Sequence, residues 1–266
     1  MERRDVEAYA GLVSLENMIR DALANTELAW LDEEQIKQKM RPVSIAYQIA
    51  KMKHDWQVRK SGEPYFHAHV KEVAKISLIE LPNPTIKRVL VGLLHDILED
   101  TDITLQTIEN LFGKNIAHDV DLLTKQDYEY YFGEEDKAKR ESYTPTRQKE
   151  LLNDPEFQKK IANNRSQKYF ATMVQEWSED VIRDKIADRL HNLRSSTDLS
   201  QEKIQKSIEE TEKYFLPLLE KNPIFALGVT LMKEDIRKLK RYVKNEQTKE
   251  EIAESFDRIL YQIHEK

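Results

Sequence analysis

Apolar residues recur at helical spacing along almost the whole chain. Over residues 5–30, Tyr9, Leu12, Val13, Leu15, Met18, Ile19 and Leu23 form a stripe that predicts an amphipathic helix. A second helix is predicted over 33–57, with Pro42 at an internal break or a fresh start, because proline brings no amide hydrogen to the ladder. Residues 59–65 read as a turn: Gly62 permits a positive φ, and Pro64 biases Glu63 away from the helical region. Helix follows over 67–80 and ends at Leu81-Pro82-Asn83-Pro84. The most apolar stretch runs from Thr85 to Glu99, where Ile86, Val89, Leu90, Leu93, Leu94, Ile97 and Leu98 cover more than one face. A belt that wide cannot face water, so this helix is expected to be central.

Thr104 opens the next helix, and Gly113 after Phe112 is its expected C-cap. From Gln126 to Tyr169 the pattern changes to dense charge, clustered tyrosines and two prolines, Pro145 and Pro155. This segment reads as an excursion with short helices, either a mobile flap or a solvated helical insertion. Helix returns at 179–196, and two more amphipathic helices are expected over 201–220 and 230–263, around Pro217 and Pro223. No repeat, low-complexity tract or clear linker interrupts the series. The expectation is an all-α chain forming a single domain over 1–266.

Composition narrows the class. The chain has 266 residues, 39% of them hydrophobic and 34% charged, enough to bury a sizeable core. Only 6 Gly and 8 Pro are present, about 5% together, too few for the turns of an all-β sandwich. No apolar run approaches the roughly 20 residues that cross a bilayer, and the N-terminus has no apolar export segment. Cysteine is absent, which removes disulfides, thiolate nucleophiles and Cys-based zinc sites. A cytoplasmic protein is expected, with no membrane partner. The net charge of −6 argues against a broad nucleic-acid-binding face, yet leaves room for a small anionic substrate in a local cationic cleft.

Two segments carry candidate chemistry. In the first, His95-Asp96 and Glu99-Asp100 lie at the C-terminal end of the greasiest helix; helical spacing stacks His95 under Glu99 and Asp96 under Asp100. Three carboxylates beside an apolar belt are costly unless a positive group compensates them, and imidazole with carboxylate suits Mn²⁺, Fe²⁺ or Zn²⁺. The alternative is a helix end entering solvent. In the second segment, Ile182, Ile186, Leu190 and Leu193 form a core stripe, while Asp188, Asn192 and Ser195 form a polar row. That row could present one metal ligand and two hydrogen-bonding groups, or be an ordinary solvated face.

Taken in order, these segments resemble the HD-domain superfamily, and within it the (p)ppGpp hydrolase domain of the Rel/Spo alarmone enzymes and the small alarmone hydrolases. The matching residues are Arg59-Lys60-Ser61-Gly62-Glu63-Pro64-Tyr65, His69 with Val73-Ala74, Leu94 through Thr104, Phe112-Gly113-Lys114, Val120 through Lys125, and the segment around Asp188. They span roughly 45–200. The resemblance implies an HD-domain helical bundle with a hydrolase core over 45–200, helical extensions at both ends, and a C-terminal extension over 201–266. It implies one Mn²⁺ held by His69, His95, Asp96 and Asp188. It further implies that Glu99 and Asp100 act on the attacking water, that Arg59, Lys60 and Ser61 bind guanine, and that Asn192 and Ser195 lie beside the nucleoside. The implied reaction removes the 3′-pyrophosphate of guanosine bis(diphosphate) alarmones.

Some positions depart from the pattern. One apparent extra residue precedes the histidine, so His67 competes with His69, and Val70 stands where proline is usual. His69 is preferred because it keeps the spacing to Val73. His54-Asp55 is expected to be structural, and His118, His191 and His264 to be surface or packing residues. Nothing resembles the alarmone synthetase domain, so hydrolysis alone is expected. Competing readings are an HD phosphohydrolase acting on NADPH or a nucleoside polyphosphate, and a non-catalytic alarmone-binding protein. The helices after Ser200 read either as a homo-oligomer interface or as an enlargement of the core.

Overall fold

The computed structural model describes residues 3–125 and 128–264; Gln126 and the side chains of Tyr9 and His264 lie outside the described residues. The first helices, α1 (Arg3–Leu23) and α2 (Glu33–Lys53), are joined by turns over 24–30, so the first stops a turn and more short of the span expected from its stripe. Leu28, beyond that end, is nevertheless buried, which is why periodicity alone ran past the boundary. Arg20 clamps Glu33 with two hydrogen bonds of 3.0 and 2.9 Å across the connection. Pro42 produces neither a break nor a new start: α2 runs through it. The missing donor is tolerated because Met40, Val43, Ala46, Tyr47 and Ala50 are buried on the same helix, and that burial outweighs one lost ladder bond.

A π turn (Phe66–Val70) leads into α3 (Lys71–Ile79), which packs against α4 (Ile86–Leu94). Gly92 permits their close approach, since a Cβ there would stand 3.1 Å from the Ala74 Cα. The central helix is not continuous to Glu99. It is interrupted at His95-Asp96 and resumes as α5 (Ile97–Asp100). The His95 ring occupies the Gly92 carbonyl through Nδ1 at 2.7 Å, an acceptor that a continuing helix would use for its backbone. Thr104 caps α6 (Leu105–Phe112) as expected, and Gly113, at φ +86°, separates it from α7 (Lys114–Leu123).

The excursion contains a 3₁₀ turn (Tyr128–Tyr131), α8 (Glu134–Glu141) and α9 (Pro145–Asn153), gathered with α10 (Pro155–Glu176) around a small core of Tyr131, Phe132, Phe157 and Ile161. It is therefore organised, and it ends earlier than its charge pattern suggests. Pro155 is the first residue of α10 (Pro155–Glu176), which passes through Tyr169 without interruption. Both prolines start helices, where no backbone donor is needed.

Next comes α11 (Glu179–Arg194), capped by Ser178, then α12 (Gln201–Glu210), α13 (Leu216–Leu219) and α14 (Ala226–Val243). The last predicted helix is split, with α15 (Lys249–His264) beginning after Asn245 turns into the left-handed region at φ +57°. Asn245 and Glu246 donate back to the carbonyls of Tyr242 and Arg241, a C-terminal cap that halts α14. One apolar core runs from Leu12 to Phe256 through both ends of the chain. Among the described residues there is no strand, only an isolated bridge between Val58 and Pro64, and no helix is long and apolar enough to cross a membrane.

Two guanidinium groups, one fully and one largely buried, tie this core together. Arg88 has no exposed surface and donates to the carbonyls of Ser77, Pro82 and Asn83, while lying 3.9 Å from Asp184 of α11. Arg194 at the end of α11 holds Glu80 through two bonds of 2.7 and 2.8 Å and Asp235 of α14 at 2.8 Å. Burial pushes Asp184 up to about 7 and Asp235 up to about 6, against the pull of their arginine partners. Removing one member leaves the other charge stranded. Arg88→Met is accordingly expected to destabilise the protein by about 3–5 kcal/mol, read from urea unfolding monitored by circular dichroism.

Candidate active site

The irregular turn before α3 decides which histidine enters the core. Phe66 is buried edge-on against Tyr47 at 4.8 Å, and the π turn then brings His69 inward with only 2% exposure. The interruption of α4 brings His95 and Asp96 to the same place. His69 Nε2 lies 3.2 Å from His95 Nε2 and 3.3 Å from Asp96 Oδ2, and His95 Nε2 lies 3.0 Å from that same oxygen. His69, His95 and Asp96 thus each present a ligand atom within 4.8 Å of one another, a group able to hold a metal ion. Asp188 Oδ1, from α11, is 3.5 Å from His69 Nε2 and 4.0 Å from His95 Nε2.

Each of these side chains is held from behind. Tyr65 Oη donates to Asp96 Oδ2 at 2.6 Å. Because the Gly92 carbonyl can only accept, His95 carries its hydrogen on Nδ1, and its Nε2 faces the cluster. The Nδ1 atoms of His69 and His191 are 2.8 Å apart, so one donates to the other. Asp188 accepts from Lys185 Nζ at 2.7 Å and from Asn192 Nδ2 at 2.5 Å. Burial disfavours the His95 imidazolium, yet Asp96 and Asp188 outweigh it and raise the group to about 9. Burial opposes ionisation of Asp96 as well, but His95 and His69 hold its carboxyl well below the usual range. His191 is kept neutral by burial and by the nearby His69 and Arg59, which suits it to accept from His69.

Glu99 and Asp100 sit at the rim. Lys125 grips Glu99 through its backbone N–H at 3.3 Å and its ammonium at 3.2 Å, and Arg165 of α10 lies 3.7 Å away. Asp100 is raised by burial and by the charges of Asp96 and Glu99. The 59–65 turn is closed by Arg59 N–H to Glu63 O at 2.8 Å, with Gly62 at φ +87° where a side chain would be strained. Arg59 Nη2 donates to Ser195 Oγ at 2.7 Å and stands over the Tyr65 ring at 5.7 Å. Ser61 reaches only its neighbour Glu63, at 3.4 Å. Lys60 is set beside Lys203 of α12, and that like charge lowers its pKa.

The structure therefore gathers His69, His95, Asp96 and Asp188, places Glu99 and Asp100 beside them, and joins Arg59 to Ser195. Asn192 is turned onto Asp188. His67 lies outside the metal-capable group. His54 is buried beside Tyr65, with Nδ1 2.8 Å from Gln57 Oε1, and His118 is exposed. His191, expected to be a surface or packing residue, is buried and has a hydrogen-bonding partner in His69. Its partner His69 is 122 residues away, so no local pattern could have shown the contact. Such outer partners commonly weaken metal binding 10–100-fold when lost. His191→Ala is expected to raise the divalent-metal dissociation constant by about that factor while leaving the helical circular dichroism unchanged, as measured by calorimetric titration.

The HD-domain family model matches residues 46–225. The bifunctional (p)ppGpp synthase/hydrolase SpoT of Escherichia coli K12 is 30% identical over 210 residues, covering 79% of this chain and 24% of that protein. A GTP pyrophosphokinase of Myxococcus xanthus is 34% identical over 206 residues, covering 76% of this chain and 23% of that one. This chain thus spans about a quarter of the length of these curated relatives. A solved structure of a metazoan SpoT ortholog that hydrolyses ppGpp superposes with a TM-score of 0.53 at 22% identity, covering 74% of this chain and 94% of that one, and shows a shared fold. With more than half its length matched and the histidines and aspartates gathered as described, the chain belongs to the HD-domain family.

Proposed function

We propose that this protein is a metal-dependent hydrolase that removes the 3′-pyrophosphate from guanosine bis(diphosphate) alarmones, giving GDP or GTP and pyrophosphate. The observation that carries the reading is the approach of both His69 and His95 to both Asp96 and Asp188, at 3.0–4.0 Å, together with the contact that joins Arg59 to Ser195. The relatives named for (p)ppGpp hydrolysis support it. The donor set of imidazoles and carboxylates suits Mn²⁺, with His69, His95, Asp96 and Asp188 as its holders. When bound, such an ion lowers the pKa of a coordinated water and polarises a phosphoryl oxygen.

The chain's own residues supply the rest. Water forms a bond to the phosphorus on the 3′ oxygen, the P–O3′ bond breaks, the 3′ oxygen takes up a proton, and pyrophosphate leaves. Glu99 and Asp100 stand where a carboxylate can accept the water's proton, and burial with the charges of Asp96 and Glu99 raises Asp100 toward that task. Arg59, planar and already over an aromatic ring, offers its other face to guanine, with Lys60 and Ser61 in the same turn. Ser195 and Asn192 line the nucleoside side. An anion between Lys60 and Lys203 would relieve their repulsion, which fits the second diphosphate. The core that is continuous from Leu12 to Phe256 supports one all-α domain, with the hydrolase core over 45–200 and the helices after 201 as its extension.

Anion-exchange analysis of guanosine tetraphosphate incubated with metal-free protein, with and without Mn²⁺, tests this reading. Manganese-dependent release of GDP and pyrophosphate, lost in His95→Ala, is the expected result. No turnover by folded, Mn²⁺-loaded protein would overturn it in favour of another nucleotide or of binding alone. Glu99→Gln should keep the metal and lower kcat by about 100-fold. Arg59→Ala should act mainly on KM, raising it by roughly tenfold, and an effect confined to kcat would remove it from base binding.

A further inference from the structure

Arg165 has no task in the chemistry just described, although α10 carries it to the rim of the site. Its guanidinium is 3.7 Å from Glu99 Oε1, an ion pair too long for a hydrogen bond, and it rests over the Tyr131 ring at 5.9 Å. The side chain is 38% exposed, so a ligand can reach it. Two anchors fix the face of α10 that it shares. Tyr169, one turn further on and hence on the same side of the helix, is buried and donates to the Leu123 carbonyl at 2.9 Å. Above its ring, at 5.3 Å, lies the ammonium of Lys185, the lysine that binds Asp188. Leu123 in turn precedes Lys125, whose backbone and side chain both hold Glu99.

Glu99 is thus one carboxylate shared by two cations from separate segments, while Lys185 serves Asp188 behind them. Of these cations, Lys125 and Lys185 are committed to carboxylates by hydrogen bonds, whereas Arg165 meets Glu99 only at 3.7 Å and keeps its donors for an incoming polyanion. A planar guanidinium, donating from two edges, matches a diphosphate.

We propose that Arg165 is a pyrophosphate-binding residue, contributed by the helix that closes the excursion. The incoming diphosphate takes the guanidinium from Glu99, which stays with Lys125 and is freed on one side to meet the attacking water. Tyr131, packed in the small core of the excursion, holds the guanidinium at the right height, so the excursion acts on substrate choice by favouring ligands that end in a diphosphate. This assignment rests on the proposed phosphohydrolase reading for its role in turnover, but its binding claim can be tested apart from it.

The test is calorimetric titration of inorganic pyrophosphate into protein carrying one equivalent of Mn²⁺, for wild type, Arg165→Gln and Arg165→Lys, with thermal unfolding of each. Expected is a loss of about tenfold in pyrophosphate affinity for Arg165→Gln, a smaller loss for Arg165→Lys, and the same weakening of pyrophosphate as a product inhibitor. Pyrophosphate affinity within twofold of wild type in Arg165→Gln overturns the proposal, and so does a lowered Tm with unchanged affinity, which would make Arg165 only a latch for α10. Arg165→Lys keeps the test open if the glutamine variant fails to fold. Turnover of guanosine tetraphosphate with Arg165-independent pyrophosphate binding would sink this assignment alone. Arg165-dependent pyrophosphate binding without that turnover would support it while removing the alarmone reading.

Discussion

A guanidinium with no exposed surface sets the register of the helices that build the site. Arg88 spends its donors on the Ser77 carbonyl and hydroxyl and on the carbonyls of Pro82 and Asn83, and it faces Asp184. A buried charge is tolerable only with its partners in place, so any slide of α3, α4 or α11 would strand it. Ser77 and His69 lie about 12 Å apart along the turn and α3, and Arg88 and His95 about 10 Å apart along α4, at 1.5 Å per residue. Because the two helices are locked at Ser77 and Arg88, His69 and His95 meet about two turns away. Asp184 is one turn before Asp188, which brings the third element to the same place.

The site is irregular where the backbone must present polar groups and regular where it packs. The π turn over Phe66–Val70 and the interruption at His95-Asp96 are the departures nearest the cluster. Each aims side chains that ideal helices would send elsewhere. Behind them, a carbonyl, a phenol, an imidazole, an ammonium and an amide restrain the rings and carboxylates from the far side. Those partners fix orientation before any ligand arrives, which is what a site built for defined geometry requires.

Additions on either side of the central helices are coupled to the site by charge. Arg194, six residues after Asp188 on the same segment, binds Glu80 at the end of α3 and Asp235 of α14. The C-terminal helices thereby share the main core and brace the helix that bears Asp188. On the other side, α10 emerges from the excursion, sends Tyr169 into the core and brings Arg165 to the rim. The stretch with the weakest hydrophobic pattern thus ends in contact with the chemistry.

Helical class, the turn at 59–65, the start at Thr104, the helix over 179–196 and the His95-Asp96 and Asp188 segments were legible in the chain itself, because caps, prolines and apolar periodicity act over a few residues. The same local signals overran at Leu23, broke α2 falsely at Pro42 and drew one helix through His95-Asp96, because the burial of Leu28, the buried face of α2 and the His95 ring on the Gly92 carbonyl decide those points. The roles proposed for His69, Glu99 and Arg59 rest on resemblance in the order of motifs, not on spacing. What the fold alone decided is which groups meet. The pairs His69–His191, Arg59–Ser195, Arg88–Asp184 and Arg165–Glu99 join residues far apart in the chain. Contacts of that kind leave no trace in local periodicity, because they depend on how whole helices pack and not on the residues beside them.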